Sequence, residues 1–137
     1  MTVNDHYPVP TAGRIVHYWL NAMDAQQINQ RRSDYNAAQR GAIPPAHDGR
    51  QNHVGNVVTE GDFYPAMIVK VWGGGTTNPA SPNTACNLQV FLDGGDTYWA
   101  TSRSAHTEPK PGSFTWPALA ELPAEAQAVL ADDGSPE

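Results

Sequence analysis

The stretch from Asn87 to Ser102 constrains the fold more than any other part of this chain. In Asn87-Leu88-Gln89-Val90-Phe91-Leu92, the residues Leu88, Val90 and Leu92 alternate onto one face, and Asn87 and Gln89 fall on the other. Asp93-Gly94-Gly95-Asp96 is turn chemistry, built from residues that tolerate positive φ. Thr97-Tyr98-Trp99-Ala100-Thr101-Ser102 then returns as a second strand. The pattern predicts a β-hairpin within a β-rich body. Carried through both strands, the alternation sets Phe91 and Trp99 opposite the Leu88/Val90/Leu92 face, as a partly exposed aromatic patch.

Further strands follow from the same reasoning. Gly13-Arg14-Ile15-Val16-His17-Tyr18-Trp19-Leu20 is rich in β-branched and aromatic residues and reads as the first strand. Pro65-Ala66-Met67-Ile68-Val69-Lys70-Val71-Trp72 reads as the second, and its near-continuous apolar character predicts burial on both faces. From Ala22 to Arg40 there is neither Gly nor Pro, so a helix is expected there. Asn21 or Asp24 caps its start, and Gly41 sits where it should end. Met23, Gln27, Ile28, Arg32 and Tyr35 make only a weakly apolar stripe, which places this helix on the surface of the β-body.

The Pro44-Pro45, Asp48-Gly49 and Gly61-Asp62 pairs mark loops, and Gly73-Gly74-Gly75 with Pro79 and Pro82 marks a long connection over 73–85. Phe114-Thr115-Trp116-Pro117 is a short aromatic anchor, and Ala118 to Leu130 carries a short helical pattern with Pro123 in its first turn. The expected organisation is an extended arm over residues 1–12 and a β-barrel domain over 13–117 with a helix-bearing insertion at about 21–64. An acidic C-terminal segment over 118–137 follows. The fold class is mainly β with a helical insertion (α+β). A small, curved SH3-like barrel hides the polar edges of so few strands. The competing architecture is a helix laid on an open sheet.

A chain of 137 residues makes one domain with one core, and 39% hydrophobic content beside 12 Gly and 12 Pro makes that core modest. No run approaches the roughly 20 apolar residues of a membrane helix, and Met1 to His6 lacks the features of a secretory signal. The sole cysteine, Cys86, forms no internal disulfide and fits a reducing cytoplasm as a small hydrophobe. Net charge is −6, but Glu121, Glu125, Asp132, Asp133 and Glu137 sit together near the C-terminus without a base. The rest carries nine acids against eight bases, so generic duplex-DNA binding through a broad basic face is excluded, while a local anion site is not.

Catalytic and metal signatures are weak. His47 and His53 share a loop with Asp48, but neither a paired-histidine helix nor a Cys-x₂-Cys knuckle accompanies them, and no metal or cofactor is expected. Cys86 opens a strand, no Gly-x-Ser-x-Gly elbow exists, and Gly73-Gly74-Gly75 lacks the Gly-Lys-Ser/Thr of a phosphate loop. The expectation is a protein without enzymatic activity. The aromatic residues carry more information: Trp19, Trp72, Trp99 and Trp116, with Tyr18, Tyr64, Tyr98, Phe91 and Phe114, exceed what so small a barrel buries. The candidate binding residues are Tyr18, Trp19, Arg31, Arg32, Phe91, Tyr98, Trp99, Arg103 and Trp116. Trp72 and Trp116 would otherwise close the barrel ends. Arg31 and Arg32 form the densest basic point, either a solvated helix face or, beside an aromatic ring, a grip for a phosphate.

Several segments together carry a resemblance. They are Gly13 to Tyr18, Ile28-Asn29-Gln30-Arg31-Arg32, Val54-Gly55-Asn56, Gly61 to Met67, Asn87 to Gly94, Tyr98 to Ser102, and Pro111 to Pro117. As a set over roughly residues 13–117, this resembles a group of small proteins encoded by tailed bacteriophages and prophages, notably of actinobacteria. The resemblance implies a phage gene expressed in a bacterial cytoplasm, and not a mechanism. The resulting expectation is a virion-associated or virion-assembly accessory protein. It would bind other phage structural proteins at a capsid or tail surface, within an oligomer or repeated assembly, through its aromatic patch and termini. One alternative is an intracellular anti-defence protein that sequesters a small nucleotide near Arg31 and Arg32. Another is an SH3- or Tudor-like module that reads a host protein tail.

Overall fold

The computed structural model describes residues 8–41 and 53–117. The expected C-terminal helix and acidic segment, His47, Asp48 and most of the N-terminal arm lie outside these residues. Five strands and one helix follow in the order β1 (Ile15–Trp19), α1 (Ala22–Gln39), β2 (Phe63–Val71), β3 (Cys86–Phe91), β4 (Thr97–Arg103) and β5 (Phe114–Thr115). They form a single sheet with strand order β4-β3-β2-β1-β5, and every neighbouring pair is antiparallel. The protein is therefore mainly β with one helix inserted between β1 and β2.

Strand alternation separates two chemically different faces. Val16 and Tyr18 of β1, Ala66 and Ile68 of β2, Leu88 and Val90 of β3, Tyr98 and Ala100 of β4, and Phe114 of β5 all point inward and form the core with Leu20, Ile28 and Leu92. The register joins them: Val16 pairs with Ala66, Ile68 with Leu88, Leu88 with Ala100, and Val90 with Tyr98. Ile15, His17, Trp19, Phe63, Pro65, Met67, Gln89, Phe91, Thr97 and Trp99 take the outer face. β2 is therefore buried on one face only. Phe63, Pro65, Val69 and Lys70 are exposed, because α1 covers just the inner side of the sheet. Pro65 has no N–H to donate, and the β2–β3 ladder begins at the next residue, with Ala66 opposite Val90.

Two irregularities bend the sheet. The register shifts between Ile68 and Lys70, leaving Val69 as an extra, exposed residue. A second shift lies opposite Cys86–Leu88, where Ser102 adopts a left-handed φ of 57°. The Oδ1 atom of Asn87 accepts the Ser102 backbone N–H at 2.9 Å and so satisfies a donor that the bulge removes from the ladder.

Helix α1 starts as its sequence requires. Asn21 Oδ1 accepts the Asp24 N–H at 2.8 Å, and Asp24 Oδ2 accepts the Asn21 N–H at 2.9 Å, a reciprocal capping box. Gly41 ends it at φ 76°, its N–H donating to Ala38 O. The face turned to the sheet consists of Asp24, Ala25, Ile28 and Arg32, two apolar residues and two charged ones. The helix is thus held by polar contacts as much as by its thin apolar stripe.

Asp24 is wholly buried and gathers two non-adjacent strands of the sheet, β1 and β4. The Tyr18 hydroxyl from β1 donates to its Oδ2, and the Tyr98 hydroxyl from β4 donates to Oδ1 at 2.7 Å. Arg103 adds a 3.3 Å contact to Oδ1, with its guanidinium 5.5 Å from the Tyr18 ring centroid. β1 and β4 stand three strand spacings apart, roughly 14 Å across a flat sheet at 4.7–4.9 Å per step. Their hydroxyls meet on one carboxylate, so the sheet curls around the helix. β4 and β5 remain the sheet's two edges. Just past β4 the chain touches β5: His106 N–H donates to Phe114 O at 2.8 Å, and Phe114 N–H donates to Ser104 O at 3.2 Å.

Removing the Asp24 carboxylate strands two buried hydroxyls and a guanidinium. Asp24→Ala is expected to cost about 3–5 kcal/mol, and Tyr98→Phe about 1.5–3 kcal/mol because the lost bond goes to a charged acceptor. Urea unfolding followed by tryptophan fluorescence measures both. Burial and the neighbouring carboxylate push the Tyr98 hydroxyl from 10.0 up to about 12. Its stabilising contribution is full below pH 10.0 and disappears as pH rises through about 12, which a stability titration in alkali checks.

Candidate functional site

Two parts of the molecule carry functional-looking residues: a polar cluster between α1 and the hairpin turn, and the outer sheet face. The cluster centres on Asp96, which closes the turn between β3 and β4. Its Oδ2 accepts from Arg32 Nη1 at 3.0 Å and Arg31 Nη1 at 3.3 Å, and lies 3.0 Å from His53 Nδ1. Arg32 is only 2% exposed and also donates from Nε to Asn56 O (3.0 Å) and from Nη1 to His53 O (2.8 Å). Arg31 caps the Thr97 carbonyl at 3.0 Å and rests over the Tyr98 ring. Burial raises the Asp96 carboxyl. Arg32's hydrogen bond and charge, with the bonds from His53 and Arg31, outweigh that and hold it below the usual 3.8.

The glycines of the turn serve this cluster and not the turn's backbone angles. Neither Gly94 nor Gly95 adopts the positive φ expected from the sequence. Gly94 instead bridges Gly55, and a Cβ on Gly94 would sit 2.6 Å from Val54 O and 2.8 Å from Gly55 Cα. A Cβ on Gly55 would meet Gly94 Cα at 2.7 Å and Arg32 Cζ at 2.8 Å. Two bare backbones therefore form the bed on which the Arg32 guanidinium lies. Asn56 fastens the same segment from the other side, donating from Nδ2 to Asp93 Oδ2 at 2.8 Å while its N–H donates to Asp93 O.

Chemically, the cluster is a clamp. His53 and Asp96 form a base–carboxylate pair, but among the described residues no hydroxyl or thiol is hydrogen-bonded to any histidine, and no group of side chains is arranged to hold a metal ion. Cys86 is wholly buried, its thiol donates to Thr84 O, and burial pushes it up to about 11.

The outer face offers a different chemistry. Trp99 is 60% exposed, Trp72 54%, Phe63 46% and Phe91 41%, and Ile15 and Val69 are exposed beside them. The register connects them. Ile15, Met67, Gln89 and Trp99 form one row across β1, β2, β3 and β4, and Trp19 pairs with Phe63 at the end of β1. The Trp19 and Phe63 rings pack 4.6 Å apart, His17 lies 4.8 Å from Phe63, and Trp19 Nε1 donates to Thr115 Oγ1. Trp72 donates from Nε1 to Asn87 Oδ1 at 3.2 Å with the Lys70 ammonium 5.2 Å from its ring. No strand of the sheet contains an Asp or Glu. The four rings together leave roughly 400 Å² in water at 150–250 Å² per side chain, spread from Phe63 at the start of β2 to Trp72 just past its end.

Eight of the nine candidate residues separate into three groups. Phe91, Trp99 and the half-buried Trp19 lie on the outer face. Tyr18, Tyr98 and Arg103 point the other way and surround Asp24; Tyr18 and Tyr98 are buried, so neither is an exposed anchor. Arg31 and Arg32 converge on Asp96. Trp116 stands apart from all three, edge-on to Phe114 at 6.0 Å and beneath Arg14. Ile15, Phe63, Met67 and Val69 belong to the face but were not singled out by sequence reasoning. Their unbroken apolar run masked which of them point outward, and only the pairing of β1 with β2 reveals it. No helix among the described residues is long and apolar enough to cross a membrane. Comparison with family models, curated proteins and solved structures finds no match to this chain.

The Asp96 clamp generates an acid-limb prediction. A carboxylate held below 3.8 contributes stability above that pH and loses it as pH falls through its lowered folded value. Asp96→Asn should lower stability at neutral pH by about 3–5 kcal/mol and flatten the loss below pH 4, as urea midpoints measured across acid pH would record. Gly55→Ala should destabilise through the same clamp, because its methyl group displaces Arg32.

Proposed function

We propose that this protein is a non-enzymatic docking module that binds a protein surface through the outer face of its curled sheet. In the phage setting implied by the resemblance, that surface belongs to a capsid or tail, and the protein acts in or on the virion. The observation that carries this reading is the gathering of Trp99, Trp72, Phe63, Phe91, Ile15 and Val69, all exposed, on one face whose strands hold no carboxylate. Aromatic anchors supply large contact area at low conformational-entropy cost, and a face without carboxylates avoids their desolvation on contact. We further read the curled sheet as an SH3-like barrel, with the bonds from Ser104 and His106 to Phe114 as its closing seam. On that reading the barrel interior is filled by side chains, and recognition falls to the outside.

The arginine pair favours docking over nucleotide capture. Arg32 is buried and spends Nε and Nη1 on two carbonyls and Asp96, while Arg31 spends Nη1 on Asp96 and Thr97 O. A phosphate would have to compete with a carboxylate that already holds both guanidinium groups.

Purified phage particles provide the test. The protein is expected to co-sediment with particles or assembly intermediates and to appear in their mass spectra. Trp99→Ala should weaken that association by roughly thirtyfold or more, the scale of a 2 kcal/mol interface anchor, with an unchanged melting temperature. Absence from particles and intermediates alike, or association indifferent to Trp99, Phe63 and Phe91 substitutions, would remove the reading.

A further inference from the structure

We infer that residues 122–130 of this same chain lie as an amphipathic helix along the β1–β2 stripe of the outer face, and that a docking partner displaces them to reach Phe63. The contact stands by itself, and its consequence for docking rests on the reading above.

The stripe follows the one direction in which the outer face is not curled. The curl runs across the strands, whereas a single strand pair lies along it. The pairs Ile15–Met67, His17–Pro65 and Trp19–Phe63 line the outer side of β1 and β2 with five apolar side chains and one imidazole. On β3 and β4 the same face is interrupted by Gln89, Thr97 and Thr101, and Thr97 Oγ1 donates to Gln89 Oε1 at 3.0 Å. From Ile15 to Trp19 the stripe is roughly 14 Å long at 3.4 Å per residue. Nine helical residues span roughly the same length at 1.5 Å each. Within 122–130, Leu122, Ala126, Val129 and Leu130 recur at i, i+4, i+7 and i+8, which is one face of a helix, and Glu125 and Gln127 fall outside it.

Chain continuity delivers the segment to this place. β5 pairs with β1 through Phe114–Tyr18 and Thr115–His17, so the chain leaves β5 heading toward the Ile15 end of β1. Residues 118–121 reach about 13 Å when extended, more than the strand spacing of about 4.8 Å needed to round β5 and turn back over β1. A tether this short gives an effective concentration on the millimolar scale. A narrow contact, too small to join two separate molecules, therefore suffices.

Charge selects the same surface. The described residues balance, seven acids against seven bases, whereas residues 118–137 carry five acids and no base. Such a segment meets Asp34 on the exposed side of α1, and Glu60, Asp93 or Glu108 along the loops. No strand holds a carboxylate, and β1 and β2 contribute His17 and Lys70. Asp62 adjoins the stripe just before β2, but its Oδ2 already accepts the Thr59 N–H at 2.9 Å.

The test places a nitroxide on Gln127→Cys in the full chain, with the buried native Cys86 left unlabelled. Amide signals of Ile15, His17 and Phe63 should lose most of their intensity, and those around Asp34 should keep theirs. Leu122→Asp with Val129→Asp should restore the lost intensity while the remaining amide shifts, which report the fold, stay in place. No loss at the stripe, or a loss that both aspartates leave unchanged, would overturn the inference. So would a loss seen only when spin-labelled chains are mixed with separate isotope-enriched ones, since that assigns the stripe to a second copy. The double aspartate variant should also bind particles at least roughly fivefold more tightly, the scale of a modest coupling between sites. Unchanged particle binding overturns the displacement. Signal loss at the stripe in a protein that ignores particles sinks docking and leaves the contact standing. Particle association that depends on Trp99 in a chain without signal loss does the reverse.

Discussion

The Asp24 carboxylate is the constraint on which the shape of this molecule depends. It caps the helix that carries it, accepts a hydroxyl from each of two strands that lie three apart in the sheet, and neutralises Arg103. Each bond is ordinary alone. Together they require β1 and β4 to curve toward one point, and the helix to start at that point. Burying an ionised carboxylate is costly unless its lone pairs are filled. Here four donors from three separate parts of the chain fill them, so the group is satisfied only in the folded arrangement. Such a pin confers specificity more than raw stability. A flat sheet or a shifted helix would leave a charge buried without partners.

Arg32 plays the complementary role two turns further along the helix. Its guanidinium lies against Gly55 and Gly94, which approach so closely that neither accommodates a Cβ, and it joins the 53–56 segment to the β3–β4 turn through Asp96. The helix thus has an acid near its N-terminus bound to strands and a base further along bound to loops. Only Ala25 and Ile28 on its buried side are apolar. A helix of such weak amphipathicity would detach from an ordinary core. Two ion-paired anchors replace the apolar area that it lacks.

Local rules made the hairpin, the helix and its caps legible in the sequence. The β3–β4 alternation gave Phe91 and Trp99 their outward direction, and Asn21, Asp24 and Gly41 marked the helix ends because capping depends on residues within one turn. What stayed hidden depended on distant partners. Asp24 looked like a cap and nothing more, since no local pattern announces that Tyr18 and Tyr98 will reach it. Gly94 looked like a turn glycine, yet its small size is required by Gly55, 39 residues earlier. β2 looked buried on both faces, because a run such as Ala66-Met67-Ile68-Val69 has no polar residues to mark the exposed side. The two-residue β5 is too short for any periodicity. In the candidate site, the same limit applied: adjacent Arg31 and Arg32 suggested an anion grip, and the acid that occupies them lies more than sixty residues away.

The distribution of polarity carries the last step. In most antiparallel sheets with one covered face, the covered side is apolar and the other is polar. This protein places two carboxylates, two tyrosine hydroxyls and a buried guanidinium on the inside, and its indoles largely on the outside. Strand propensity alone does not account for that, since Thr serves an exposed strand position as well as Trp and costs nothing in solubility. Nor do the rings simply shelter one another. Trp19 and Phe63 are in mutual contact, and Trp72 has Asn87 and Lys70, but Trp99 has neither an aromatic partner nor a hydrogen bond from its indole among the described residues. It pairs across the ladder with Gln89 and stands 60% in water. A side chain that contributes so little to its own fold, at the centre of an edge strand and in line with Met67 and Ile15, gains its full burial only from another surface.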